Sequence, residues 1–372
     1  MKKGWEYKKL GDIANDMYRG SGIKREQVTD TGIPCVRYGE IYTTYNIAFD
    51  KCASHTNEEI ISSPKYFETG DILFAITGES VEEIGKSIAY LGKEKCMCGG
   101  DIVVMKHSQY PKYLSYALSS PKAIKQKGLG KTKLKVVHTN IPSLKEISIP
   151  LPPLSEQKEI VDYLDSSFAK IDKLKENAAK NLEEAKALFQ SALKDALEPK
   201  EGWEEKTLIK EFSLKSGDNL SAKKQIKGPY DVYGGNGVTG SHIEYNLSGK
   251  NILIGRVGAL CGNIHFVNAK IWVTDNAFIV KDISEHWHMD FLTYELKYLN
   301  LNQYASQTAQ PVISNKSMKD VMIMLPPLSE QQSIVSFLDS LNEKVNTLQQ
   351  NYSRICNECD ALKQAILRQV FE

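Results

Sequence analysis

The segment Leu151-Pro152-Pro153-Leu154-Ser155-Glu156-Gln157 recurs as Leu325-Pro326-Pro327-Leu328-Ser329-Glu330-Gln331, identical at every position. From there the register holds without a gap at an offset of 174 residues: Ile160-Val161 with Ile334-Val335, Leu164-Asp165 with Leu338-Asp339, Ala187-Leu188 with Ala361-Leu362, Gln190 with Gln364. Upstream, Ser143-Leu144-Lys145-Glu146-Ile147 aligns with Ser317-Met318-Lys319-Asp320-Val321 at the same offset. A second matched pair, Gly4-Trp5-Glu6 and Gly202-Trp203-Glu204, opens each copy at an offset of 198, so the intervening stretch is 24 residues longer in the first copy. A repeat of this kind restricts the chain to two copies of one plan. A fixed-length element alternating with one of varying length suggests a spacer and a reader.

The fixed elements read as helices. Ser155 and Ser329 suit a helix amino terminus, with prolines before them and Glu156 and Glu330 in the first turn. No glycine or proline follows until Pro199 in the first copy, and none in the second. Each helix then spans about 43 residues, roughly 64 Å at 1.5 Å per residue. In the second, Leu338, Leu341, Val345, Leu348, Tyr352, Ile355, Cys359, Leu362 and Ile366 step alternately by three and four, as in a coiled-coil seam. The first has Leu164, Ile171, Leu174, Ala178, Ala185, Leu188 and Ala192 at the matching places, interrupted by Ser167 and Asn181. Small alanines opposite large residues would let the two axes approach closely. Antiparallel pairing would set the readers at opposite ends of one rod. Each reader mixes buried apolar strands between turns, at residues 67–78 and 249–258, with short helices at residues 112–118 and 289–299. The expected fold is α+β: two globular domains, 1–150 and 202–324, separated by two long antiparallel coiled-coil helices, 151–201 and 325–372, in a pseudo-twofold repeat.

Length and composition agree with two soluble domains. The chain has 372 residues, 41% hydrophobic and 25% charged, and no apolar run approaches the roughly 18 residues of a membrane span. The amino terminus lacks a secretory apolar stretch, which points to the cytoplasm. Seven cysteines, an odd and scattered set, fit reduced thiols, and neither close pair has the second pair that structural zinc requires. Net charge is only +1, but the first reader holds 22 basic against 17 acidic residues and the second 13 against 12. The helices carry the acidic excess.

The motifs of chemistry are weak. Gly235-Asn236-Gly237-Val238-Thr239-Gly240 spells a dinucleotide fingerprint, yet strand-like residues follow where a helix must begin; a loop presenting Asn236 and Thr239 fits better. Gly130-Lys131-Thr132 has Lys125 where a P-loop needs its first glycine. The basic run Lys122, Lys125, Lys127, Lys131, Lys133 and Lys135 contains no acid and suits either a solvated surface or DNA phosphates. No metalloprotease, serine-hydrolase or adenine-methyltransferase tetrapeptide occurs.

Taken together, the Gly-Trp-Glu starts, Gly70-Asp71-Ile72-Leu73, Tyr233-Gly234-Gly235-Asn236-Gly237, Thr308-Ala309-Gln310-Pro311 and the two Leu-Pro-Pro-Leu-Ser-Glu-Gln openings resemble the specificity subunits of type I restriction–modification systems over nearly the whole chain. The resemblance implies a non-catalytic subunit that reads a bipartite double-stranded DNA target with two recognition domains. It implies methyltransferase and ATP-driven restriction subunits as partners, with S-adenosylmethionine bound by the former and no cofactor or metal on this chain. A coiled-coil scaffold with two non-DNA binding modules is the alternative, and a nuclease a third class.

Candidate DNA contacts are Arg37, Asn236, Arg256 and Gln310 for base edges, Lys131, Lys133 and Lys135 for phosphates, and Tyr38, Thr77, Thr239 and Gln307 beside them. Leu154, Glu156, Gln157, Leu328, Glu330 and Gln331, in the helix openings, are candidates for the partner-subunit surface. The absence of catalytic motifs predicts that the purified chain, given S-adenosylmethionine, ATP and magnesium, neither methylates nor cuts DNA; turnover without partner subunits would contradict this reading.

Overall fold

The computed structural model describes residues 5–130, 136–306 and 310–372. The chain divides into two compact units, Met1–Ala178 with Ser353–Glu372, and Ala179–Tyr352. The two breaks, after residues 178 and 352, are again 174 apart.

The first unit is built on a five-stranded sheet in the order Ala14–Arg19, Ile102–His107, Ile72–Ala75, Ser87–Tyr90, Ala48–Phe49. Side chains of a strand alternate between faces. Ile72 and Phe74 therefore enter one core, with Val103, Met105 and the helix Pro111–Leu118. Leu73 and Ala75 enter a second core, with Ile88, Val104, Cys96 and Cys98. That second core is closed by another sheet, Val28–Thr29, Ser54–Thr56, Ile33–Val36, Cys96–Cys98, Tyr66–Phe67. A strand covered on both faces reads as one apolar run, which is why residues 67–78 show no alternation.

The second unit repeats this arrangement in smaller form. Ser213–Ser216, Ala277–Lys281, Lys250–Gly255 and Ile264–Asn268 form a four-stranded sheet, and Gly237–His242, Tyr230–Gly234 and Ile271–Val273 a three-stranded one. Ile252 and Ile254 face the helix Met289–Tyr298, whereas Leu253 and Ile279 face the smaller sheet. Among the described residues, the first unit's strands Val28–Thr29, Ala48–Phe49 and Tyr66–Phe67 have no counterpart in the second.

Both long helices have 44 residues, Leu154–Leu197 and Leu328–Phe371. Each starts one residue before the serine expected to cap it: Pro153 O and Pro327 O accept from the Gln157 and Gln331 amides, both at 3.0 Å. Ser155 and Ser329 lie inside the first turn. Within the first unit the helices run antiparallel, since Lys175 bonds Asp360 at 2.9 Å while Lys363 bonds Asp172.

The heptad seam needs correction. Leu174, Leu188, Leu348 and Leu362 stand exposed, while Phe168, Leu182, Leu193 and Leu367 are buried. In the first helix Ile171, Leu182 and Leu193 follow one another at intervals of eleven residues, three turns of a helix that is not underwound to the 3.5 residues of a heptad coil.

A collar ties each helix opening to its unit. Trp5 Nε1 donates to Glu156 at 2.8 Å, and Trp203 Nε1 to Glu330 at 3.0 Å. Strand Glu6–Lys9 pairs with Ser148–Leu151, as Glu204–Thr207 does with Met322–Leu325. Tyr116 donates to Asp165 at 2.7 Å and Tyr294 to Asp339 at 2.6 Å.

One difference between the copies has a chemical reason. Pro150 has no N–H, and the helix residue that would face it, Ala117, offers no acceptor. Its equivalent Met324 has an N–H, and Glu295, at the position of Ala117, accepts it at 3.0 Å. Burial pushes this carboxyl up from its ordinary 4.5 to about 7. The folded state therefore holds the proton more tightly than the unfolded chain. Stability is full below pH 4.5 and falls as pH rises through about 7. Glu295→Gln keeps the acceptor and cannot ionise. It should flatten that slope and raise stability at pH 8 by roughly 1–3 kcal/mol, with no gain at pH 4, as read by thermal unfolding across the range.

Candidate nucleic-acid interface

Four loops meet at one end of the first unit, joined by backbone bonds: Gly99 N to Val36 O at 2.9 Å, Ile76 N to Asp101 O at 3.0 Å, and Thr139 N to Ile76 O at 2.9 Å. The second unit rebuilds the same set: Thr274 N to Tyr233 O, Arg256 N to Asn276 O and Ile313 N to Arg256 O, each at 2.9 Å. Strand ends fix these loops on both units. Arg37, Tyr38, Thr77, Asn236, Arg256 and Gln310 lie on or beside them.

In the first unit Arg37 and Tyr38 lie just beyond strand Ile33–Val36. They line a cleft of about 560 Å³ together with Arg19, Arg25, Gly22 and Gly39. Arg37 N donates to the Glu40 carboxylate at 2.7 Å, and Ser54 donates to the same group, so the acid fixes the Arg37 backbone. Tyr38 is exposed. Thr77 stands nearby with its hydroxyl 3.1 Å from His138 Nδ1. Arg19 and Arg25 were not singled out from the sequence; only folding brings residues 19, 25 and 37 to one wall.

In the second unit Asn236 occupies an exposed hairpin tip, its carbonyl accepting from Asn263 at 3.4 Å, and Gly237 takes φ of 94° to turn the chain. The glycine-rich hexapeptide is thus a β-hairpin. Thr239 donates to Val232 O at 3.1 Å. Gln310 is exposed on the adjoining loop, where Gly258 N donates to Pro311 O at 2.9 Å.

Arg256 is drawn inward. It takes the place that buried Ile76 has in the first unit, its guanidinium lying 5.2 Å from the Phe278 ring centre and Nη1 donating to Ser216 Oγ and Asp275 O, both at 3.3 Å. Its sequence context, a turn after a strand, gave no sign of this.

Lys127, in the basic run, is buried with Nζ 3.1 Å from Ser87 Oγ, and burial pushes its pKa down to about 7. It faces no phosphate, because its helix turns it toward the core. Lys131, Lys133, Lys135 and Gln307 lie outside the described residues.

At the helix openings Gln157 and Gln331 are completely buried. Gln157 accepts from Tyr110 N at 3.0 Å and donates to Gln109 Oε1 at 2.9 Å and Pro152 O at 2.8 Å. Gln331 accepts from His288 N at 2.7 Å and donates to His286 O at 2.8 Å and Pro326 O at 2.9 Å. Neither presents an atom to a partner, contrary to expectation, and Glu156 and Glu330 hold the tryptophans. Leu154 and Leu328 are exposed.

Arg256→Ala should therefore lower the thermal midpoint of the protein, by about 1–2 kcal/mol of stability from lost packing and hydrogen bonds. An unchanged midpoint with weakened cognate DNA binding would instead assign Arg256 to base reading.

The family model described as the type I restriction modification DNA specificity domain matches residues 2–184 and 200–355. The chain is 31% identical over 159 residues to the Escherichia coli EcoprrI specificity subunit, a match spanning 41% of this chain and 39% of that protein. To the EcoKI specificity subunit of E. coli K12 it is 21% identical over 430 residues, spanning 100% of this chain and 89% of that one. Among solved structures it superposes on a chain from a study of type I R-M complex assembly and conformational transition, with TM-score 0.80, 20% identity, and 99% and 97% of the two chains covered. For the HsdS subunit of Thermoanaerobacter tengcongensis the TM-score is 0.58 at 19% identity, covering 100% and 97%. With one family domain on each copy of the repeat and a fold shared along its length, the chain belongs to the type I restriction–modification DNA specificity family.

Proposed function

We propose that the four-loop end of each unit reads one half of a bipartite duplex target and that the paired long helices set the number of base pairs left unread between the halves. The observation that carries this reading is the duplicated trio of backbone bonds bearing different side chains: Arg37 and Tyr38 on one copy, Asn236 and Gln310 on the other. A common scaffold with exchanged side chains is what two unlike half-sites require, because base edges differ in their donors and acceptors while the groove does not. The chain's own part is recognition. Methylation and cleavage belong to methyltransferase and restriction subunits that it directs, a reading supported by its likeness to specificity subunits of type I restriction enzymes.

Lengthening the helices tests the spacer. Leu193 and Leu197 are buried in the second unit's core, so the insertion belongs at the breaks between units. Four residues inserted after Ala178 and four after Tyr352 add about 6 Å of helix and just over one turn, close to two base pairs of DNA at about 3.4 Å each. The methylated motif in cells should keep both half-site sequences and widen its gap by one or two base pairs. Exchange of residues 1–150 should change one half-site and leave the gap alone. Altered half-site bases with an unaltered gap in the insertion variant would overturn the spacer.

A further inference from the structure

The chain contains six arginines among its 47 basic residues, and three of the six, Arg19, Arg25 and Arg37, line the cleft of the first unit. Arginine and lysine serve equally as exposed positive charge. They differ in shape, since only arginine carries a planar fork of donors that meets two adjacent acceptors at once. A chain that otherwise uses lysine almost throughout has placed half its forks in one place.

Arg19 is held in the wall by Asp101 at 2.8 Å. The ion pairs among the described residues include no carboxylate on Arg25 or Arg37, and Arg37 Nε is enclosed without an acceptor. The carboxylate nearest in sequence, Glu40, is engaged by the Arg37 amide and Ser54. Arg37 is thus a fork on a fixed backbone, without an anionic partner among the described residues.

The cleft contains a second, independent sign. Gly22 and Gly39 line it, and a Cβ added at either would meet nothing within 4 Å. Neither has a left-handed φ. Packing and backbone conformation both leave room for a side chain at these positions, so the space a methyl would fill is the cleft itself. Glycine at such a place permits close approach of a ligand. A Cβ added at Gly99, by contrast, would come within 3.0 Å of Val36 O.

We propose that this cleft receives the major-groove edge of a guanine, with Arg37 donating to O6 and N7 and Arg25 to a neighbouring phosphate. The proposal rests on the reading of the chain as a DNA specificity subunit. Guanine alone offers two acceptors side by side in the major groove, whereas adenine and cytosine present a donor there. The matching end of the second unit has the carboxamides of Asn236 and Gln310, so the other half-site serves as an internal control.

The test uses the full chain with its methyltransferase subunits in cells, reading the methylated motif of wild type, Arg37→Ala, Arg37→Lys and Gly39→Ala. The wild-type motif should contain a G·C pair in the half-site that changes when residues 1–150 are exchanged. Arg37→Ala should make that one position degenerate and weaken binding to the cognate duplex roughly tenfold to a hundredfold, and Arg37→Lys should weaken both less, leaving the other half-site intact. Gly39→Ala should keep the thermal midpoint and weaken cognate binding. Arg37→Ala removes every side-chain donor, so a folded Ala variant that still selects guanine at that position overturns the proposal. A wild-type complex that yields no bipartite motif instead overturns the DNA reading on which it rests.

Discussion

Each long helix begins on a buried carboxamide. A strand that ends in two prolines leaves its last carbonyls unpaired, and the chain then turns into a helix whose first amides are also unpaired. Gln157 and Gln331 bond across this corner, returning a donor to the Pro152 and Pro326 carbonyls while accepting the Tyr110 and His288 amides. No other ordinary side chain of that size offers two donors and an acceptor without charge: a carboxylate cannot donate, and leucine would orphan three polar groups in a dry site. Because the helix direction is set at this corner, the strand pairing, the tryptophan contacts and the tyrosine–aspartate bonds downstream all depend on it. The identity of the two heptapeptides is therefore structural. It keeps one corner geometry in both copies.

Away from the corner the copies diverge where surroundings permit. The inward-facing position after the central strand is Ile76 in one unit and Arg256 in the other, the arginine finding Ser216, Asp275 and the Phe278 ring in place of apolar packing. The loops above keep their backbone bonds while their side chains change from arginine and tyrosine to carboxamides. Conserved main chain with exchanged side chains separates the task of holding the loops from the task of reading with them.

The repeat, the two long helices, the buried central strands and the failure of the dinucleotide fingerprint were legible in the sequence, because each depends on spacing or on local turn chemistry. The helix seam was legible only in part. A heptad template fits Val345 and Cys359 but mistakes Leu174 and Leu348, since seven residues and two turns drift apart by about 20° per repeat. The kinship of the two smaller sheets was invisible, because the pairing of Ile33–Val36 with Cys96–Cys98 joins segments more than sixty residues apart. The cleft was half legible. Arg37 and Tyr38 announce a polar turn, while Arg19, Arg25 and the two open glycines acquire meaning only from their convergence. Gln157 and Gln331 looked like surface residues, as glutamine usually is.

The division of the chain has an effect on the order in which the protein can form. The first unit includes residues 353–372, with Leu367 and Phe371 inside its core, Phe371 edge-on to Tyr113 at 5.5 Å and its carbonyl bonded by Tyr7. During synthesis the first unit's leading segment leaves the ribosome first, yet it waits with an open apolar seam while the second unit is made, and closes only when residues 353–372 arrive. Contacts so distant along the chain make folding slow and leave surface exposed meanwhile. A stop codon near residue 353 would accordingly injure the domain encoded at the opposite end of the gene and spare the one beside it.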